Sequence, residues 1–375
     1  MSTSRGLVIG CLMVVGCGGS SDEGSPACTA TPLVPSSGSF GPRGDLFAGH
    51  NPDAVAATDL DNDCILDLVI VNADDVTLGV FLGHGDGTFT DHVASPLAGE
   101  FPIGVTSADF NHDGNADVAV SFNPGTIGVL LGNGDGTFGA QTTYMGSGEL
   151  VVGDFDGDGD LDLAASRGFL HSNAGDGTFT TTMLGPQGNS IAAADLDGDD
   201  QLDLVVGGFD DTVAVLRNVG SGFAAPVVFP SGGALSGAIA ATDLDGDGIL
   251  DLALTSGIDT LSTLHGTGAA GFATPVVYTQ SEGFDYSAIA TGDFNGDGAP
   301  DVVINNRLDY DPQPHPAATV SVYANDGTGG FGTPVQVLVR DQPSAVLLRD
   351  LDRDGRLDLV AVNQSGSLSV LLGNP

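Results

Sequence analysis

Seven times along this chain a short acidic run of the form Asp-x-Asp-x-Asp-Gly-x-x-Asp leads straight into an apolar stretch, and no other feature restricts the fold as tightly. The run DFDGDGDLDLAA places carboxylates at Asp154, Asp156, Asp158 and Asp162, with Gly159 beside the third. The same positions elsewhere are Asp59, Asp61, Asp63 and Asp67; Asp109, Asn111, Asp113 and Asp117; and Asp195, Asp197, Asp199 and Asp203. They recur as Asp243, Asp245, Asp247 and Asp251; Asp293, Asn295, Asp297 and Asp301; and Asp350, Asp352, Asp354 and Asp358. Short acidic side chains at alternate positions, a glycine for the sharp turn and a final carboxylate wrap a hard cation, which takes six to eight oxygens at about 2.3–2.6 Å. Calcium is the expected ion, in up to seven sites. Magnesium suits them less, because it demands a tight octahedral shell that keeps several waters.

Helix-flanked calcium loops need a ligand at position twelve, usually a bidentate Glu. Here position twelve is Ile70, Val120, Ala165, Val206, Leu254, Ile304 and Ala361, so these loops close at position nine. Short β-rich runs such as LDLVIV and LDLVAV follow, which makes each loop a strand-to-strand connection.

The loop starts lie 50, 45, 41, 48, 50 and 57 residues apart, the period of a four-stranded propeller blade. A second marker sits between loops: a glycine turn ending at Phe89, Phe138, Phe179, Phe223, Phe272 and Phe331, with the Phe expected to plug the core. Each blade therefore reads as inner strand, metal loop, second strand, turn, third strand, glycine turn and outer strand. The last repeat stops before its glycine turn, and the missing piece, Gly38–Phe40, stands at the opposite end of the chain. The ring balances only if the N-terminus donates the outer strand of the last blade, which leaves no open sheet edge. The expected fold class is all-β, a seven-bladed β-propeller over residues 35–375.

These repeats resemble the FG-GAP and VCBS repeats of integrin α-chain propellers and of many secreted bacterial proteins. FAAP at Phe223, FATP at Phe272 and FGTP at Phe331 carry the likeness, together with the acidic loops. It implies the propeller fold and calcium sites, and leaves activity open, because propellers host many functions. Two loops depart from the pattern: Cys64 and Asp200 replace glycine at position six, which predicts a strained backbone or weaker binding there. At an affinity of about 10⁻⁴ M and free calcium near 10⁻³ M, each site contributes roughly 1.4 kcal/mol to stability, and seven contribute about 10.

Residues 1–16 pair one positive charge, Arg5, with a short apolar run ending in VVGC, a secretory signal too short to span a membrane. The box resembles the bacterial lipoprotein cleavage site, which makes Cys17 the lipidated residue; the competing VIGC at Cys11 leaves an apolar run of only about five residues, below the usual length. Residues 17–34 read as a flexible tether. The expected location is the bacterial cell envelope, lipid-anchored at the outer membrane or cell surface, with secretion the outcome if Cys17 is not lipidated. An exported compartment permits a Cys28–Cys64 disulfide, set against two free thiols.

The formal charge is −40, and 26 of the 49 acidic residues are loop ligands. Seven divalent ions would cancel 14 charges and leave about −26, which excludes nucleic acid as a partner and any membrane contact other than the lipid anchor. No nucleophile elbow, HExxH helix or phosphate-binding loop occurs, and the histidines share no ligand spacing, so no catalytic residues are assigned. His112, inside the second loop, is expected to point outward. Arg43-Gly44-Asp45 spells an adhesion tripeptide whose place in the donated strand suits a structural role. Two insertions around blade six, Ser281–Ser287 and Asn305–Pro316, crowd one corner of the face opposite the loops. They make Phe284, Tyr286, Arg307, Tyr310 and His315 the candidate ligand anchors. The expectation is a non-catalytic binding module for a protein or glycan, against a polysaccharide-active enzyme or accessory subunit, or a structural envelope protein.

Overall fold

The computed structural model describes residues 31–34, 36–233, 236–256, 260–279, 284–285, 287–308 and 318–375. Every regular element among them is a β-strand, arranged as seven up-and-down antiparallel blades. Blade one consists of Pro52–Thr58, Asp67–Asn72, Thr77–Phe81 and Val93–Pro96, and the later blades repeat this order. The signal sequence, Cys17 and Cys28 lie outside the described residues.

Burial explains the strand compositions. Second strands such as Asp67–Asn72 and Asp117–Phe122 are buried at every residue, since each is sandwiched between the neighbouring blades. That is why they read as continuous apolar runs instead of alternating ones. Outer strands such as Val93–Pro96 and Thr142–Met145 are mostly exposed and carry Thr and Pro, which blunt a sheet edge. The first strands neighbour one another all the way round the ring.

The core is accordingly divided into seven apolar clusters, one at each junction between blades. Their deepest plugs are the residues at loop position two. Phe110 and Phe155 are fully buried there, while most of the turn phenylalanines, Phe89 and Phe138 among them, are half-buried and pack against a cluster from its rim.

The chain ends share blade seven. Pro343–Arg349, Asp358–Asn363 and Ser367–Leu371 are followed in that sheet by Gly44–Phe47 from the N-terminus, which pairs antiparallel with Ser367–Leu371. Phe40 bridges Gly373 as Phe89 bridges Gly83 and Phe138 bridges Gly132. The aromatic contacts agree: Phe40 stacks on Phe294 at 5.8 Å, just as Phe179 sits 5.5 Å from Phe110 one blade onward. Of the tether, Val34 N donates to Gly355 O at 2.6 Å, so this segment crosses the seventh loop.

Candidate functional site

Each acidic loop has the same internal wiring. The position-one carboxylate accepts the amide of position six, from Cys64 N to Asp59 Oδ2 at 2.8 Å through Gly355 N to Asp350 Oδ2 at 3.0 Å. The position-five carboxylate accepts the amide of position seven, as Asn115 N does to Asp113 Oδ1 at 2.8 Å. These bonds turn the backbone sharply and give left-handed φ at position six: +94° at Gly159, +66° at Cys64 and +66° at Asp200. The two non-glycine residues therefore adopt the strained conformation expected of them. Position four is left-handed as well, with φ of +62° at Asn62, +59° at His112 and +64° at Arg353.

The carboxylate at position nine has a structural role of its own. Asp67, Asp117, Asp162, Asp203, Asp251, Asp301 and Asp358 are all buried. In each, Oδ2 accepts the amide of loop position two and Oδ1 accepts an amide at or just past the end of the third strand. For Asp117 the donors are Phe110 N at 2.8 Å and Gly132 N at 2.7 Å; for Asp358 they are Leu351 N at 2.7 Å and Gly373 N at 2.8 Å. One side chain thus ties three strands of its blade together. The position-two carbonyls then reach the next blade: Leu60 O accepts Gly136 N at 2.9 Å, and Phe155 O accepts Asn218 Nδ2 at 2.9 Å.

The donor set fits a hard cation. Ligand oxygens of Asp59, Asp61 and Asp67, and of Asp154, Asp156 and Asp162, lie within 4.8 Å of one another. Two oxygens facing each other across one calcium ion stand about 4.8 Å apart at ordinary ligand distances. The sets Asp195, Asp197, Asp199 and Asp243, Asp245, Asp247 converge equally. Asp197 Oδ1 is buried with no hydrogen-bond partner, an orphaned acceptor that a cation in loop four would satisfy.

Electrostatics point the same way. Desolvation, followed by neighbouring loop carboxylates, lifts Asp67, Asp117, Asp162, Asp203 and Asp301 to about 6, although their amide donors pull downward. Asp358 is pushed up to about 7 for the same reasons. At position three, burial and then the adjacent Asp63 raise Asp61, while burial and then Asp158 raise Asp156. Without a cation, each loop concentrates more negative charge than its surroundings stabilise.

Two loops contain a basic side chain that sequence spacing does not reveal. The residue preceding the third-strand amide donor is Leu82 in blade one and Leu131 in blade two. It is Arg217 in blade four and His265 in blade five. Arg217 Nη1 lies 3.1 Å from Asp197 Oδ2, and His265 Nδ1 lies 3.3 Å from Asp245 Oδ2. His112 is half-exposed as expected, yet its Nε2 meets Asp160 Oδ1 of the next loop at 2.7 Å. Cys64 is disulfide-bonded.

On the opposite face, the second strand of blade six, Asp301–Leu308, runs on to pair with Phe284–Asp285, joining Phe284 to Leu308 and Asp285 to Arg307. The two insertions therefore do meet at one corner. Arg307 is half-buried; Tyr286, Tyr310 and His315 lie outside the described residues. That face also exposes Phe101 and Phe209, the latter with the Arg167 guanidinium 4.9 Å from its ring centre. Neither phenylalanine stands in a repeat motif, so the sequence gives no signal for them. The Arg43-Gly44-Asp45 tripeptide is tied into the scaffold. Arg43 Nε lies 2.9 Å from Asp45 Oδ1, Arg43 Nη1 donates to Val339 O at 2.6 Å, and Ser369 Oγ donates to Asp45 Oδ1 at 3.0 Å.

Comparison with known proteins agrees with this architecture. The FG-GAP-like repeat family matches residues 59–120, 195–254 and 243–304, and the FG-GAP repeat family matches residues 286–323. No curated protein matches significantly. Among solved structures, BBS1N in complex with ARL6DN, soaked with lead, aligns at a TM-score of 0.61 and 14% identity over 91% of this chain and 97% of that one. The same complex soaked with mercury aligns at 0.62 and 15% identity, over 90% and 97%. With 780 solved chains matching, the likeness identifies an architecture and not an activity. No helix among the described residues is long and apolar enough to cross a membrane.

Proposed function

We propose that this chain, which belongs to the FG-GAP repeat proteins, is a calcium-stabilised, envelope-tethered and non-catalytic binding module for a protein or glycan. The contrast between its two faces carries this reading. One face repeats the same acidic loop and the same buried position-nine clamp in all seven blades, which is the signature of a scaffold. The other face holds the irregular features: the extended strand of blade six with its added pairing at Phe284–Asp285, and exposed aromatic side chains. Rigid scaffolds that present variable loops are the usual setting for recognition.

Calcium in the loops would neutralise the clustered carboxylates and brace the blades, and the loops' own residues supply the ligands. Asp and Asn at positions one, three and five would hold the ion, while position nine holds three strands in place with a lone pair still available. A lipid on Cys17, followed by the tether, would hold the ring at the envelope and leave the variable face open to a partner.

The test is a glycan array and a pull-down from native envelope with the full mature chain, in calcium and in chelator. A matched probe carries Arg167→Ala with Phe209→Ala, and a second has residues 309–317 shortened. The reading expects calcium-dependent capture that at least one of the altered faces abolishes while the fold is retained. Capture indifferent to both faces and to calcium, or turnover of a glycan by the purified chain, would overturn it.

A further inference from the structure

We infer that loop five is built for a borderline transition metal such as zinc, held by His265 Nδ1 together with Asp245 and Asp251. This rests on the reading of the acidic loops as cation sites and goes further by making one of the seven chemically different. Ligand atoms of Asp245, Asp251 and His265 lie within 4.8 Å of one another. His265 Nδ1 stands 3.3 Å from Asp245 Oδ2 and 3.6 Å from Asp251 Oδ2. Donors about 2.0–2.2 Å from a tetrahedral zinc ion are about 3.4 Å apart, so His265 Nδ1 already stands at that spacing from both carboxylates.

Those separations would also suit calcium, and the nitrogen decides between the two. Calcium is bound by oxygen, whereas imidazole with carboxylate suits zinc and its neighbours in the first transition row. His265 Nδ1 is buried and has no hydrogen-bond partner, although two carboxylates face it. A ring nitrogen facing two carboxylates without a hydrogen bond is a costly arrangement unless a proton or a metal cation sits between them, and a metal can use all three donors at once. Asp251 keeps its clamp, accepting Leu244 N at 2.8 Å and Gly266 N at 2.7 Å, and would bind metal through a remaining lone pair.

The ring is also held in place from outside. It packs on the glycine turn of blade six so closely that a Cβ at Gly329 would lie 2.2 Å from His265 Cε1. Gly329, with φ of +74°, thus fixes the imidazole against loop five. Among the described residues, the other histidines lack this setting. His50 meets Asp75 and His112 meets Asp160, both at exposed positions on the surface. The comparable position in loop four holds Arg217, whose guanidinium supplies the positive charge itself.

The experiment titrates zinc chloride into the full mature chain in about 1 mM calcium, following heat and bound metal, with cobalt(II) absorption reporting the coordination geometry. The expected result is one zinc per chain and the loss of one calcium. His265→Leu should weaken that zinc at least tenfold while leaving the melt in chelator unchanged, because leucine occupies the same position in blades one, two and seven. His265→Asn serves as a second variant should leucine disturb the blade. Zinc binding equal in the variants, or none in the parent protein, overturns the inference. Calcium binding without zinc leaves the general reading intact and removes this one, whereas a His265-dependent zinc in a chain that binds no calcium does the reverse.

Discussion

Asp117→Ala separates the clamp from the proposed metal site. The Asp117 carboxylate is buried, and its two oxygens accept amides of Phe110 at 2.8 Å and Gly132 at 2.7 Å. Hydrogen bonds to a charged group contribute about 1.5–3 kcal/mol each, and truncation leaves both donors buried and unsatisfied. Two such bonds give a loss of about 3–6 kcal/mol, on the order of 10 °C in melting temperature for a chain of this size. Asp117→Asn keeps one acceptor and turns an amino group toward the other amide, so about half the loss is expected. The assay is thermal unfolding with and without calcium, beside Asp113→Ala, whose carboxylate bonds only within the loop. Asp117→Ala should be destabilising even in chelator, and Asp113→Ala only in calcium. An Asp117→Ala melt in chelator that coincides with the parent protein's would refute the clamp.

Further predictions concern strain, protonation and closure. Asp200→Gly relieves a left-handed residue at φ +66° and should stabilise the chain by about 0.5–1 kcal/mol, read from denaturant midpoints; a destabilised variant would contradict this. The raised position-nine carboxylates hold more protons in the native chain than their unfolded value of 3.8 allows. Metal-free protein should therefore lose stability as pH rises from about 4 to about 7, and calcium should reverse that slope; a melt independent of pH in chelator would contradict it. Arg217→Leu removes the cation beside Asp197 and should tighten calcium at loop four severalfold by calorimetry, with unchanged affinity the opposing result. Phe40→Ala should cost about 2–3 kcal/mol, close to Phe179→Ala, since both rings hold the same place in a blade; a neutral Phe40→Ala would argue against the shared last blade.

The ring was legible because its signals are local and repeat in phase. An acidic turn at a fixed spacing from an apolar strand needs no tertiary information, and counting glycine turns against loops shows that Phe40 must serve the last blade. The features that escaped depend on register between elements far apart in sequence. His265 and Arg217 reach the loops only because a third strand ends beside them. The double role of Asp117 requires knowing which amide arrives from Gly132. Position four escaped for another reason: Asn62, His112 and Arg353 show that several residue types accept left-handed φ when neighbouring hydrogen bonds fix the turn, so no glycine rule flags it.

The most direct test of a ring braced by its loops is to count calcium on the purified chain by equilibrium dialysis with elemental analysis, and to melt the same samples before and after chelation. Close to seven ions per chain are predicted, or six plus one zinc at loop five, with a large fall in melting temperature when they are removed. Fewer than one ion per chain at millimolar calcium, with a melt that chelator leaves unchanged, would contradict the account.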